Sequence, residues 1–423
     1  MNRREFFKQG GLLASMITVS MGRAAGEKNK PPVFVLVSGW QTVNIGDIAH
    51  TPGMISLLYR YFPGSKCILW PNKIDPEVEK MLLGHFPDLG IIYFDPEVPD
   101  VAKEEEFRHI MQTSDMLIHS SGPGVVGIDR LLYWKKNTRK TYGIIGVTIS
   151  SIGEKLKGVL DDAAFVYTRE TASLKNLKKA GISRPVTGFA PDSTFSFALN
   201  NEYAANDFMK IHQLKSKEFI CVISRLRYTP YHEIYPDIGW TDNKIREVTE
   251  TNDQHKENDH AKLRDLIIWW IGKTGNKVVL CPEMTYQANI MDPLIIDPLP
   301  EKYKGYLIKH PYWMPDEASS LYEKSFAVVS MECHSPIMAA VKRTPCFYLR
   351  QPEDTIKGQM WYDLGLKNWV FEIEDTTSGQ IISRLNEIRK NYPEAVSYLD
   401  SAMKNVSRRY DQAFDTVTQF LEN

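Results

Sequence analysis

Five consecutive apolar residues, Val33-Phe34-Val35-Leu36-Val37, leave no solvent-facing side for a strand. Such a run suits a strand covered on both faces, as in a parallel sheet flanked by helices. The pattern recurs at 90–94, 116–119, 143–149 and 165–167, with helix-like stretches such as 76–85 and 104–113 between the runs. Strands alternating with helices at this spacing predict a doubly wound α/β domain over residues 33–205. A second series, with strands at 219–223, 277–280, 326–329 and 346–349, predicts another over residues 217–375. Helices are expected between them at 259–272, 316–324 and 335–341. A chain of 423 residues is too long for one ordinary core, so two such domains are the natural division. Residues 376–423 read as C-terminal helices able to pack back on the first domain. The expected fold class is α/β with two Rossmann-like domains.

Lys and Arg total 51 against 52 Asp and Glu, a formal net charge of -1. A chain so balanced has no global electrostatic reason to seek nucleic acid. The five cysteines are scattered, mostly in apolar runs, and form no Cys/His cluster, so no metal site is expected and they read as small buried hydrophobes. The segment 1–26 has the order of an export signal of the twin-arginine kind. Arg3-Arg4 and Phe6-Phe7-Lys8 precede a weakly apolar stretch, and small residues follow at Gly22, Ala24 and Ala25. An exported, periplasmic protein with no membrane span in its mature form is expected. Tyr228 to Asn258 shows no apolar period and reads as a long loop, whose aromatics could stack on sugar rings or form a small cluster of their own.

Several short motifs occur in order. Asn44-Ile45-Gly46-Asp47 follows the first strand, and Ser120-Ser121-Gly122-Pro123-Gly124 follows the one at 116–119. Gly143-Ile144-Ile145-Gly146, Arg169-Glu170-Thr171-Ala172-Ser173, Pro191-Asp192-Ser193-Thr194-Phe195 and Ser330-Met331-Glu332-Cys333-His334 come next, the last followed by Ala339-Ala340 and Thr344-Pro345. Together they resemble the polysaccharide pyruvyl transferase family from about Val33 to Glu372. The resemblance implies a glycosyltransferase-B-like arrangement, two Rossmann-like domains facing a cleft. It also implies transfer of a pyruvyl or related group onto a glycan, with phosphoenolpyruvate as co-substrate, no bound cofactor, and a histidine tied to the reaction.

The residues carry their own chemistry. Ligands of α/β folds bind at the carboxyl ends of parallel strands, where these motifs fall. Asn44, Gly46 and Asp47 open a helix whose amides favour an anion or polar sugar group, although Asp47 could equally be the helix N-cap. Ser121 and Gly122 offer a backbone cradle or a tight turn. Arg169 can grip a carboxylate or phosphate, or pair with Glu170 or Asp192. Asp192 reads as an acid, a hydroxyl acceptor or a helix cap. His334 suits general acid or base work, with a satisfied core histidine as the alternative.

One position departs from the family pattern: Glu332 stands where an arginine is expected. A carboxylate there disfavours an anionic donor, as does export away from the cytoplasmic phosphoenolpyruvate pool. Two alternatives therefore stand beside transfer: a glycan-cleaving or glycan-processing enzyme using Glu332 and His334, and a non-catalytic glycan-binding protein. Pro336 biases Ser335 away from helical angles, which predicts an extended Glu332–His334 with both side chains on one face.

Overall fold

The fully buried strands predicted from 33–37 and 219–223 lie near the middle of two all-parallel sheets in the computed structural model, which describes residues 30–98 and 100–422. The first sheet holds β1 (Val33–Ser38), β2 (Lys66–Pro71), β3 (Gly90–Ile91), β4 (Met116–His119), β5 (Tyr142–Val147), β6 (Phe165–Thr168) and β7 (Val186–Phe189), in the order 3-2-1-4-5-6-7. The second holds β8 (Phe219–Ile223), β9 (Lys277–Leu280), β10 (Leu307–Lys309), β11 (Ala327–Ser330), β12 (Cys346–Arg350) and β13 (Val370–Glu372), in the order 10-9-8-11-12-13. Each order reverses once, between β1 and β4 in the first sheet and between β8 and β11 in the second. A reversal opens a crevice beyond the carboxyl ends of the strands.

Every side chain of β1, β4, β8 and β11 is buried, because helices cover both faces of each sheet. Burying a Val, Leu, Ile or Phe contributes about 1.5–3 kcal/mol each, so these central strands dominate the core. All five cysteines are buried and free, as small hydrophobes would be. From Pro32 onward the chain forms one compact unit built on both sheets. Hydrogen bonds cross directly between its halves, among them Ile45 N–H to the Glu283 carbonyl at 2.9 Å and Thr285 N–H to the Val43 carbonyl at 3.0 Å.

Where sequence and structure differ, the cause is local. The alternation read from sequence omits β2, β7, β10 and β13. Of these, β7, β10 and β13 lie at sheet edges and are short or half-exposed, so they lack continuous apolar runs. Residues 228–258 are not a long loop. A 33-residue helix, Asp242–Thr274, fills most of that stretch, capped by Thr241 and ended by Gly275 in the left-handed conformation. Its buried stripe includes Val248, Asn252, Asp259 and Leu263, so polar residues occupy positions an apolar count passes over. Asn252 holds the backbone of Tyr228 through both its amide atoms, and Asp259 grips Arg227. The segment 1–26 lies outside the described residues. Among the described residues, no helix is long and apolar enough to cross a membrane.

The last helix, Tyr392–Glu422, returns across the first sheet. The Tyr61 ring stacks on Phe414 at 4.4 Å, the Tyr167 hydroxyl meets Thr416 at 2.7 Å, and the Tyr410 hydroxyl donates to the Asp192 carbonyl at 2.6 Å. Removing that buried donor should cost about 1–2 kcal/mol. Tyr410→Phe should therefore lower the urea midpoint with an unchanged m-value. An unaltered midpoint would show that the tail docks through its apolar face alone.

Candidate active site

The site lies at the two sheet reversals. After β1 the chain turns into the helix Ile45–Tyr61. Its cap is Asn44, not Asp47: Asn44 is extended and its side-chain oxygen accepts from the N–H groups of Gly46 (2.7 Å) and Asp47 (3.4 Å). Asp47 is left free to act sideways, in the first turn where the helix dipole favours a carboxylate. It accepts a hydrogen bond from Gln41 and lies 3.9 Å from Nδ1 of His50, one turn further along the same face. Gly46 is small because His334 packs on it: a Cβ there would fall 2.6 Å from the Cβ and Cγ of His334.

Asp192 collects the cluster. Its Oδ2 accepts from Arg169 Nη1 at 2.6 Å and lies 3.2 Å from His50 Nε2 and 3.8 Å from His334 Nε2. Its Oδ1 caps the short turn that follows, accepting from Thr194 N–H at 2.9 Å. The two imidazole Nε2 atoms are 3.3 Å apart. Burial opposes ionisation of Asp192, yet His50, His334 and Arg169 outweigh it and hold the carboxyl well below its usual range. Arg169 is held from a second side, its Nε donating to Thr148 at 2.7 Å.

His334 stands after β11, on the far side of Asp192. Its Nδ1 is 3.3 Å from Oε1 of Glu283, whose Oε2 accepts from both the N–H and the hydroxyl of Ser335 at 2.6 Å. Burial favours the neutral imidazole, but Cys333, Asp192 and Glu283 outweigh it and raise the His334 pKa well above its usual value. Glu283 is lowered in turn: burial opposes its ionisation, while His334 and Ser335 favour it.

The extended conformation predicted for Glu332–His334 does not form. Cys333 already has helical angles, and the helix His334–Val341 starts at the histidine. Pro336 sits in its first turn, where its missing N–H has no intrahelical partner to lose. The two side chains consequently meet different partners. Glu332 accepts from Gln287 at 2.9 Å and lies 3.4 Å from Arg225 Nε, and Arg225 also pairs with Asp354. Burial pushes the Glu332 carboxyl up to about 7, with Arg225 opposing and Glu283 reinforcing the rise.

The structure thus brings Asn44, Gly46, Asp47, Arg169, Asp192 and His334 into one cluster. Ser121 and Gly122 lie at its edge in structural roles. The Ser121 hydroxyl accepts from Ser193 N–H at 2.8 Å, its carbonyl accepts from Trp40, and a Cβ on Gly122 would meet the Trp40 ring nitrogen at 2.7 Å. Sequence reasoning misses His50, Glu283 and Arg225. The first had a signal, since Asp47 and His50 are three apart on one helix. The other two follow the carboxyl ends of β9 and β8.

The polysaccharide pyruvyl transferase family model matches residues 44–351, from the Asn44 cap through Gln351. The chain belongs to this family. No curated protein matches it. Among solved structures it resembles UDP-GlcNAc 2-epimerase from Neisseria meningitidis bound to UDP-GlcNAc, at 11% identity and a TM-score of 0.53, over 92% of this chain and 100% of that one. It also resembles UDP-GlcNAc 2-epimerase from Methanocaldococcus jannaschii, at 13% identity and a TM-score of 0.54, over 85% of this chain and 93% of that one. At these identities the likeness is one of fold, glycosyltransferase-B-like. Family membership makes the protein a glycan-modifying transferase.

Two tests follow from this geometry. Gly46→Ala should destabilise by about 1–3 kcal/mol through overpacking against His334, whereas Gly84→Ala, where a Cβ meets nothing within 4 Å, should stabilise its helix by up to about 1 kcal/mol. Equal effects of the two in denaturant melts would refute the close packing on His334. Glu332 supplies the second. Its folded pKa is raised from 4.5 to about 7, so the folded state keeps a proton that the unfolded state has lost between those values. Stability attributable to this group therefore falls as pH rises through that window. Glu332→Gln removes the effect, and its stability relative to wild type should climb by on the order of 3 kcal/mol between about pH 4 and about pH 8. A flat difference across that range would contradict the raised carboxyl.

Proposed function

We propose that the His334 cluster is the reacting centre and transfers a pyruvyl or related group to hydroxyls of a glycan. The observation that carries this reading is the setting of His334. Its imidazole lies at a sheet reversal between the carboxylates of Asp192 and Glu283, which favour its protonated form at neutral pH. With phosphoenolpyruvate as donor, two sugar oxygens bond to the enol carbon, the bond from that carbon to the phosphate oxygen breaks, and the methylene becomes a methyl. The two hydroxyls release two protons; the methylene takes up one, and the other leaves with phosphate or to solvent. An imidazolium at 334 suits the protonation step, and the neighbouring His50, with Asp47 beside its other nitrogen, suits removal of a hydroxyl proton.

One observation favours a second reading. Arg169 is tied to Asp192, and Arg225 to Asp354, so both guanidiniums are neutralised before any anionic donor arrives. Glu332, with its raised pKa, instead suits an acid role in glycan cleavage. Incubation with candidate glycans, with and without phosphoenolpyruvate, separates the two by mass spectrometry. Transfer predicts a ketal mass gain only with donor, while shortened chains without donor would replace it with cleavage. Glycans that bind but emerge unchanged in both arms would make the protein a binder. His334→Gln should lower any transfer rate on the order of 10²–10⁴-fold; an undiminished rate would remove His334 from the reaction.

A further inference from the structure

We infer that His50, Asp192 and His334 form a binding site for one zinc ion, with Glu283 orienting the imidazole of His334 and Asp47 beside that of His50. No sequence motif announces it, because the three residues come from the first helix, the turn after β7 and the helix after β11. They are nonetheless three buried groups whose ligand atoms converge.

The distances define where an ion would sit. His50 Nε2, His334 Nε2 and Asp192 Oδ2 form a triangle with sides of 3.3, 3.2 and 3.8 Å. The point equidistant from all three lies about 2.0 Å from each, against zinc bonds of ~2.0–2.1 Å to nitrogen and oxygen. An ion a few tenths of an ångström out of that plane would see angles of about 105–110° across the two shorter sides and about 140° across the longest, a distorted tetrahedron that keeps a fourth position for water or substrate. Two imidazoles and one carboxylate suit zinc better than magnesium or calcium, which prefer all-oxygen sets.

The surroundings fit as well. Histidines that bind a metal through Nε2 usually donate Nδ1–H to a carboxylate. Here His334 Nδ1 is 3.3 Å from Glu283, and His50 Nδ1, which has no hydrogen-bond partner, lies 3.9 Å from Asp47. Arg169 shares Oδ2 of Asp192, but a carboxylate oxygen has two lone pairs and can serve both. Charge also balances. With both imidazoles neutral, as metal binding requires, Asp47, Asp192 and Glu283 against Arg169 leave an excess of two negative charges, which a divalent ion neutralises. Two facing imidazolium N–H groups 3.3 Å apart would neutralise it only by repelling each other.

This inference goes beyond the transfer reading and is tested without it. Zinc on Nε2 of His334 would exclude a proton from the same atom, so ion and acid role alternate at one site. The experiment is isothermal titration of tag-free, chelator-treated protein with zinc chloride, with bound metal counted by elemental analysis. One ion per chain is expected. Affinity should fall at least on the order of 100-fold in His50→Ala and His334→Ala, and on the order of 10–100-fold in Glu283→Gln. His50→Gln and Asp192→Asn, closer in shape, guard against loss of fold, which circular dichroism monitors. His109→Ala, an exposed histidine elsewhere, should bind as wild type does. Absence of stoichiometric zinc, or zinc held equally by the folded His50 and His334 variants, would overturn the site. Either result leaves the glycan assay free to decide the transfer reading separately.

Discussion

The buried ion pair between Arg169 and Asp192 is the interaction on which the cleft depends. Neither side chain is more than 1% exposed. Taking two such charges out of water costs several kcal/mol per ion, and the cost is recovered only if the remaining lone pairs and protons are satisfied. Asp192 therefore needs Thr194 and the imidazole of His50, and Arg169 needs Thr148. Those needs fix the ends of β5 and β6, the turn after β7 and the first helix relative to one another. Tyr410 adds the last helix through the Asp192 carbonyl. His334 adds the second sheet.

That arrangement explains how much could be read from the sequence. The central strands were legible because a strand covered on both faces must be apolar throughout. The edge strands β10 and β13 have only three residues each, and no such run. The helix Asp242–Thr274 was read only in its second half, at 259–272; its first half escaped because Asn252 occupies a buried position, held there by Tyr228 rather than by hydrophobic contact. In the site, Asn44, Arg169 and His334 were visible as polar residues following predicted strands, and Asp192 through the motif Pro191-Asp192-Ser193-Thr194-Phe195. Glu283 follows β9 in the same way, but no motif surrounded it. His50 lies inside a helix among apolar neighbours, where only its three-residue offset from Asp47 sets it apart.

The proline at 336 shows why a local preference yields to a tertiary one. Its effect on Ser335 is real, yet Glu283 accepts from both the N–H and the hydroxyl of that serine. Two charge-assisted hydrogen bonds in a buried site outweigh a modest steric bias. The helix thus begins at His334, and the histidine is turned toward Asp192 rather than toward Glu332.

The separation of Glu332 from His334 also changes what the substitution at 332 means. The family pattern expects a cation there, and the structure supplies one from the adjacent strand. β8 pairs with β11, Ile223 opposite Ser330, so the residues just beyond them, Arg225 and Glu332, meet at 3.4 Å. Asp354, joined by Glu332 once that carboxyl loses its proton, balances Arg225 and Lys357, whose pKa is raised by Cys333 and Asp354 against the effect of burial. The departure at 332 is thus one half of a compensated set. An arginine at 332 would face Arg225 at ion-pair distance in a nearly buried site, where like charges repel strongly. It would restore the family's letter without restoring its charge distribution.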